Sequence, residues 1–214
     1  MRILSLSDVV DPFLYSPALI RRCGNIDLLI SCGDVPLDYL EYVSSMLGVP
    51  LYFVHGNHVR EKDVDEGKDQ NKFAVGTNLH LRVVRHHSGV LLAGVEGSLR
   101  YRQGQHQYSQ SEMWMNVLSL VPALIRNRIL YGRYLDIFVT HAPEWRIHDE
   151  DDLPHRGIKA FNWLIRTFQP AFHLHGHIHV YRPDVITETK VGKTRVINTY
   201  GYKLLELDIK PTQK

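Results

Sequence analysis

Phe172-His173-Leu174-His175-Gly176-His177-Ile178-His179-Val180 places four histidines on alternate positions, with one glycine among them. In a β-strand alternate residues share a face, so this spacing can aim several imidazoles at one point. Gly176 allows the backbone to turn, or to approach a ligand where a Cβ would clash. Imidazole suits zinc, iron, manganese or nickel, and two rings separated by one residue can serve adjacent metal positions. A single histidine here would read as a polar strand end. The run His175-Gly176-His177-Ile178-His179 reads as a metal site that needs carboxylates from elsewhere in the chain.

Elsewhere in the chain the same layout recurs. Ile3-Leu4-Ser5-Leu6-Ser7 is a short apolar run ending in Asp8, and Asp27 to Cys32 is a second run followed at once by Gly33-Asp34. Val49 to Val54 is a third, ending in His55-Gly56-Asn57-His58, and Tyr134 to Thr140 is a fourth, ending in His141-Ala142-Pro143. Apolar runs of this length bounded by turn residues predict strands buried on both faces. Helices are expected between them: 17–23 with Ser16 as N-cap, 37–47 with Leu37, Leu40, Val43 and Leu47 on one face, and 158–168 stopped by Pro170. A longer helix is expected over 111–128, capped by Ser111, with Met113, Val117, Leu120 and Leu124 facing a core. Leu79–Val84 with Val90–Val95, and Val185–Thr189 with Thr194–Asn198, read as hairpins, and 203–209 as a last strand. Arg60 to Lys72 mixes acids and bases without periodicity and reads as an exposed loop. Repeated strand–turn–helix units with polar tips predict an α/β sheet whose ligands gather at strand C-termini.

Bulk properties narrow the class. The chain has 214 residues, 44% of them hydrophobic, and a formal charge of +2 with 13 histidines. That length and apolar content suit one domain over 1–214. The charge balance shows no basic groove for nucleic acid or an anionic membrane. Cys23 and Cys32 form no CxxC pair, no signal-peptide core follows Met1, and Val117–Ile125 is too short to span a bilayer. A soluble protein of the reducing cytoplasm is expected. The apolar segment from Trp114 to Leu124 is a candidate interface.

Asp8, Asp34, Asn57, His58, His141, His177 and His179 all follow predicted strands. Carboxylate, amide oxygen and imidazole together suit a pair of divalent cations, with Asp34 able to bridge them. Two such ions would bind phosphoryl oxygens, generate a hydroxide near neutral pH and align it with the leaving group. Taken singly, Asp8 could cap a helix, Asp34 and Asn57 could hold turns, and His141 could satisfy a carbonyl. All of them at strand tips, in order, point to one site.

At these residues the sequence resembles the calcineurin-like metallophosphoesterase family, from Asp8 through Gly33-Asp34, Gly56-Asn57-His58 and Thr140-His141-Ala142-Pro143 to Gly176-His177-Ile178-His179. The resemblance implies an α/β four-layer sandwich: two mixed β-sheets face to face, flanked by helices. It implies a metal-dependent phosphoric ester hydrolase with two divalent ions, manganese first, with iron, zinc or nickel as alternatives. Asp8, Asp34 and His179 would hold the first ion, and Asp34, Asn57, His141 and His177 the second. Asp34 and His58 would be the catalytic residues, His58 stabilising the phosphoryl group or protonating the leaving oxygen. Asn57, His58, Tyr101, His155 and Arg156 are expected to meet a small phosphomonoester or phosphodiester. His173 and His175 are read as support for the ligands.

The sequence departs from the family pattern twice. Asp-x-His is replaced by Asp8-Val9-Val10, which removes one first-metal ligand; Asp11, a water or another histidine could fill the position. Val59 stands where an acid usually follows His58, leaving Asp63, Asp65 or a backbone carbonyl to orient the ring. The departures favour an alternative, a catalytically weak protein of this fold acting as a binding scaffold.

Overall fold

The computed structural model describes residues 1–58 and 76–208. Its first half runs β1 (Arg2–Ser7), α1 (Leu19–Cys23), β2 (Leu28–Ser31), α2 (Leu37–Leu47), β3 (Leu51–Phe53), β4 (Gly76–Asn78), β5 (Val83–Arg85), β6 (Leu91–Val95), β7 (Ser98–Leu99) and β8 (Gln107–Tyr108). There follow α3 (Gln110–Tyr131), β9 (Ile137–Thr140), α4 (Lys159–Phe168), β10 (Phe172–His175), β11 (Glu188–Val191), β12 (Thr194–Asn198) and β13 (Gly201–Glu206).

Strand side chains point alternately to two faces, and here both faces are apolar. Ile3, Leu28 and Ile30 look one way, Leu4, Leu6 and Leu29 the other. Strands of this kind need cover on each side. One sheet, β13-β1-β2-β3-β4, is parallel except for β13; the other, β11-β12-β10-β9-β6-β5, is parallel at its centre with antiparallel edges. Their inner faces share one core, in which Ile30, Tyr52 and Val54 meet Leu92, Ile137, Val139 and Leu174. Outside the first sheet, α1 and α2 cover Leu4, Leu6, Leu29 and Phe53. Outside the second, Met113, Val117, Leu120 and Leu124 of α3 and Phe161, Leu164 and Ile165 of α4 cover Ala93, Val95 and Phe138. The result is a mixed α/β sandwich of four layers, two large sheets with helices outside.

Several boundaries differ from the sequence expectation. α3 starts at Gln110, capped by Ser109 and not Ser111: Ser109 Oγ accepts from Glu112 N at 3.2 Å, and Glu112 Oε2 accepts from Ser109 N at 2.6 Å. This reciprocal capping box satisfies two backbone donors that the first turn otherwise leaves open. Leu79 to Arg82 is no continuous strand, because Leu81 takes φ 55° and Arg82 N bonds back to Leu79 O; His80 makes an isolated bridge to Gly94, and the ladder with β6 is confined to Val83–Arg85. The first helix begins at Leu19, while Ser16 Oγ receives Ala18 N at 3.3 Å. The 60–72 loop, Val59, Asp63, Asp65 and Ile209 lie outside the described residues. Among the described residues, no helix is long and apolar enough to cross a membrane.

Because the central strands of both sheets are parallel, their C-terminal ends meet along one edge. Asp8, Asp34 and Asn57 follow β1, β2 and β3; His141 and His177 follow β9 and β10. The edge is stitched across the two sheets by Cys32 O with His141 Nδ1 at 2.8 Å, and by Thr199 Oγ1 with Ser7 Oγ at 3.3 Å.

Candidate metal centre

Asp8, Asp34 and His177 have φ of 65, 56 and 68°. Left-handed backbone costs a residue with a Cβ about 1 kcal/mol or more, and such strain concentrates at functional sites. Each turn swings a polar side chain off its strand end toward the shared edge. The glycines beside them are there for space. A Cβ on Gly56 would overlap the Asp34 carboxylate, and one on Gly33 would lie 2.6 Å from Gly56 N and 2.9 Å from His141 Nδ1.

Four atoms converge. His141 Nε2 lies 3.1 Å from Asp34 Oδ2, 3.0 Å from Asn57 Oδ1 and 3.1 Å from His177 Nδ1. Their orientation follows from their other partners. His141 Nδ1 faces the Cys32 carbonyl at 2.8 Å and His177 Nε2 the Pro154 carbonyl at 2.8 Å. Carbonyl oxygens only accept, so both nitrogens carry hydrogen, and the neutral rings present His141 Nε2 and His177 Nδ1 as lone pairs. Asn57 Nδ2 donates to Tyr101 Oη at 3.2 Å, which turns Oδ1 inward. A carboxylate oxygen, an amide oxygen and two imidazole nitrogens thus point at one centre, with Asp34, His141 and His177 within reach of a shared ion. Acceptors crowded this way require a positive charge.

In the ligand-free chain a proton provides it. Burial alone would lower the His141 pKa, but the adjacent Asp34 charge, with Asp8 behind it, lifts it to about 9. Burial likewise opposes ionisation of Asp34, yet His141 beside it and the His58 amide hold its pKa down to about 2. His177, buried and next to that imidazolium, is pushed down to about 3 and stays neutral. The donor set therefore fits a divalent cation of borderline hardness, and such an ion would displace the His141 proton.

The first-metal residues are placed differently. Both Asp8 oxygens accept from His177 N, at 3.2 and 3.0 Å, and burial raises the Asp8 pKa. His179 is exposed: its Nδ1 lies 2.7 Å from Tyr181 Oη and its ring packs 5.0 Å from Tyr200. Asp8 and His179 are thus near the edge but do not join the converging atoms. Val10 packs with the apolar cluster under α1 and α2, and Asp11 Oδ1 accepts from Phe13 N at 2.8 Å. His58 is exposed; its backbone N–H is held by Asp34 Oδ1 at 3.0 Å, and its ring is close enough to favour the Asp34 charge. His155 stands at the rim, 5.2 Å from the His177 ring and bonded to Asp152 at 2.8 Å. Arg156 folds back onto Asp151 O at 2.8 Å, away from the converging atoms' own contacts.

The sequence did not point to the Cys32 and Pro154 carbonyls that set both tautomers. Main-chain acceptors leave no mark on residue type. Behind the converging side chains, His173 Nδ1 lies 3.0 Å from the buried Glu144 carboxylate and its Nε2 meets Thr140 at 2.9 Å. His175 Nε2 receives His148 Nδ1 at 2.9 Å.

The model of the calcineurin-like phosphoesterase family matches residues 1–181. The chain belongs to that family. Among solved structures, the chain is similar to TT1561 of Thermus thermophilus, with 17% identity, a TM-score of 0.65, and coverage of 95% of this chain and 93% of that one. It is also similar to GAP50 of Plasmodium, the anchor in the inner membrane complex, with 11% identity, a TM-score of 0.49, and coverage of 92% and 70%. A third is an archaeal phosphodiesterase, with 15% identity, a TM-score of 0.43, and coverage of 97% and 100%. No curated protein matches the sequence significantly. The likeness to TT1561 carries the fold alone; the family rests on the match over 1–181. Asp34, Asn57, His141 and His177 follow β2, β3, β9 and β10 inside the matched span.

Proposed function

We propose that this chain is a metal-dependent phosphoesterase that hydrolyses a small phosphomonoester or phosphodiester. The observation carrying the proposal is the convergence of Asp34 Oδ2, Asn57 Oδ1, His141 Nε2 and His177 Nδ1, each fixed by a second partner. A divalent cation held there would supply the charge that polarises a phosphoryl oxygen and acidifies a water. Manganese is the first choice, with iron, zinc or nickel also compatible with mixed N and O donors. Asp8, Asp34 and His179 form the side where a second, weaker cation would bind, since Val10 offers no ligand and His179 turns to Tyr181.

The chain's own residues then have separable tasks. Asp34 meets His141 through Oδ2 and accepts from the His58 amide through Oδ1. Tyr101 fixes the Asn57 carboxamide. His58, exposed beside Asp34, would protonate a departing oxygen. His155 lies over His177, where it can meet a phosphate oxygen. Two buried free cysteines, Cys23 and Cys32, suit a reducing compartment such as the cytoplasm.

The test is hydrolysis of aryl phosphate mono- and diesters with manganese added. The reading expects turnover that disappears in Asp34→Ala and His177→Ala while circular dichroism is unchanged; normal turnover in either folded variant overturns it. Val10 supports a second reading, a binding scaffold with little catalysis. That reading expects no metal retained after reconstitution with manganese or zinc, whereas the enzyme retains it.

A further inference from the structure

Every second residue from His173 to His177 is a histidine that meets the same segment, 144–154. His173 Nδ1 lies 3.0 Å from the Glu144 carboxylate, His175 Nε2 2.9 Å from His148 Nδ1, and His177 Nε2 2.8 Å from the Pro154 carbonyl. The middle contact belongs to a chain of hydrogen bonds whose direction is fixed. Gly176 O can only accept, so His175 Nδ1, 3.0 Å away, carries the proton. Burial, with His173 and His148 beside it, holds the His175 pKa well below its ordinary value, so the ring is neutral and its Nε2 is a lone pair. His148 Nδ1 must then donate to it. Burial lowers the His148 pKa as well, and its neutral Nε2 accepts from the Thr189 hydroxyl at 2.9 Å. Thr189, His148 and His175 thus donate one to the next, head to tail, and the last donation lands on Gly176 O. Hydrogen bonds aligned this way reinforce one another away from water.

Gly176 O is one end of the peptide unit that joins Gly176 to His177. At its other end His177 N donates to both Asp8 oxygens, at 3.2 and 3.0 Å. This peptide leads into the left-handed turn of His177, φ 68°, from which the ring reaches the converging atoms. His148 is left-handed too, at φ 58°, as is Arg146 before it at φ 64°. Such backbone is costly for a residue with a Cβ and persists only where surrounding bonds hold it. We propose that His148 is a positioning residue of the metal centre: its Nδ1–H fixes the His175 tautomer, which holds the Gly176–His177 peptide and so aims His177 Nδ1 at the shared ion. This rests on the reading of Asp34, Asn57, His141 and His177 as metal-binding side chains. Segment 144–154 also brings Pro154 O to His177 Nε2, so losing the His148 bond loosens both the peptide and the far side of the ring. A histidine that merely tied the segment down would affect stability and leave His177 as it is.

The test compares His148→Leu, which keeps much of the bulk and removes the donor, with His148→Asn, whose Nδ2 takes the place of Nδ1 and whose backbone tolerates the left-handed region. Manganese affinity of the full chain is read by titration calorimetry. His148→Leu should bind at least roughly tenfold more weakly, and His148→Asn should stay within about threefold of wild type, with circular dichroism unchanged in both. A wild type that binds while His148→Leu binds equally tightly overturns the proposal and leaves the metal reading standing. His148→Asn as weak as His148→Leu overturns it as well. Side-chain nitrogen NMR spectra of the metal-free chain give a separate readout. They should place the protons on Nδ1 of His148 and His175 and on Nε2 of His177, with the His177 pattern lost in His148→Leu. A wild-type His175 protonated on Nε2 overturns the proposal whether or not the variants fold. If wild type binds no manganese, the metal reading fails and the His177 spectrum decides: identical in wild type and His148→Leu, it overturns the positioning role too.

Discussion

Raising the pH of the metal-free chain through the alkaline range should weaken it, and His141 sets how much. The His141 pKa stands at about 9 in the folded chain against 6.5 for the free side chain. A group whose pKa rises on folding contributes stability that is complete below the unfolded value and disappears as pH climbs through the folded one. The window is therefore pH 6.5 to about 9. At 1.36 kcal/mol per pKa unit the full loss is roughly 3 kcal/mol, with most of it above neutrality. Asp34, held at about 2, is the other half of the same ion pair and is not counted again. The assay is urea unfolding with chelator present, at closely spaced pH values, for wild type and His141→Gln. Cys32, pushed up to about 12 by burial, also weakens the fold in alkali, but it does so in both proteins and cancels in the difference. The difference should shrink by about 3 kcal/mol across the window. Parallel profiles for the two proteins from pH 6.5 to 9 would refute the buried imidazolium and with it the convergence of acceptors on one charge.

Three other outcomes follow from the same contacts. Gly56→Ala drives a methyl into the Asp34 carboxylate; we expect a loss of about 2 kcal/mol in urea unfolding or a manganese affinity reduced at least tenfold. Ser109→Ala should cost about 1 kcal/mol through the capping box and leave turnover alone, while Ser111→Ala should change stability by no more than a few tenths of a kcal/mol. Tyr101→Phe removes the partner of Asn57 Nδ2; a fall of about tenfold or less in manganese affinity is expected by calorimetry, with the fold intact.

The strands were legible because burial on both faces writes them as unbroken apolar runs, and the polar residue that ends each run is what the site uses. α2 was legible to both ends for a similar reason: Pro36 precedes it and Gly48, at φ 64°, closes it. β4 was not. Gly76-Thr77-Asn78 is short and polar, and it is a strand only because β3 pairs with it. The expected cap, Ser111, lies inside α3; Glu112 three positions after Ser109 marks Ser109 as the cap, and that spacing was present in the sequence. The residues that converge could be picked out by type, but not their orientation. Cys32 O and Pro154 O choose the tautomers, and they arrive from distant segments. Val10 was visible as a departure from the family pattern, whereas the turn of His179 toward Tyr181 depends on Tyr181 and Tyr200 standing beside it.

If the site works as proposed, a divalent cation replaces the His141 proton among Asp34, Asn57, His141 and His177. Titration calorimetry of manganese into the metal-free chain at neutral pH, repeated in buffers of different ionisation enthalpy, measures affinity and proton release together. We predict tight binding with about one proton released per ion, decreasing as pH rises toward 9, and lost in His177→Ala. Absence of binding, or binding that releases no proton and survives His177→Ala, would contradict that exchange.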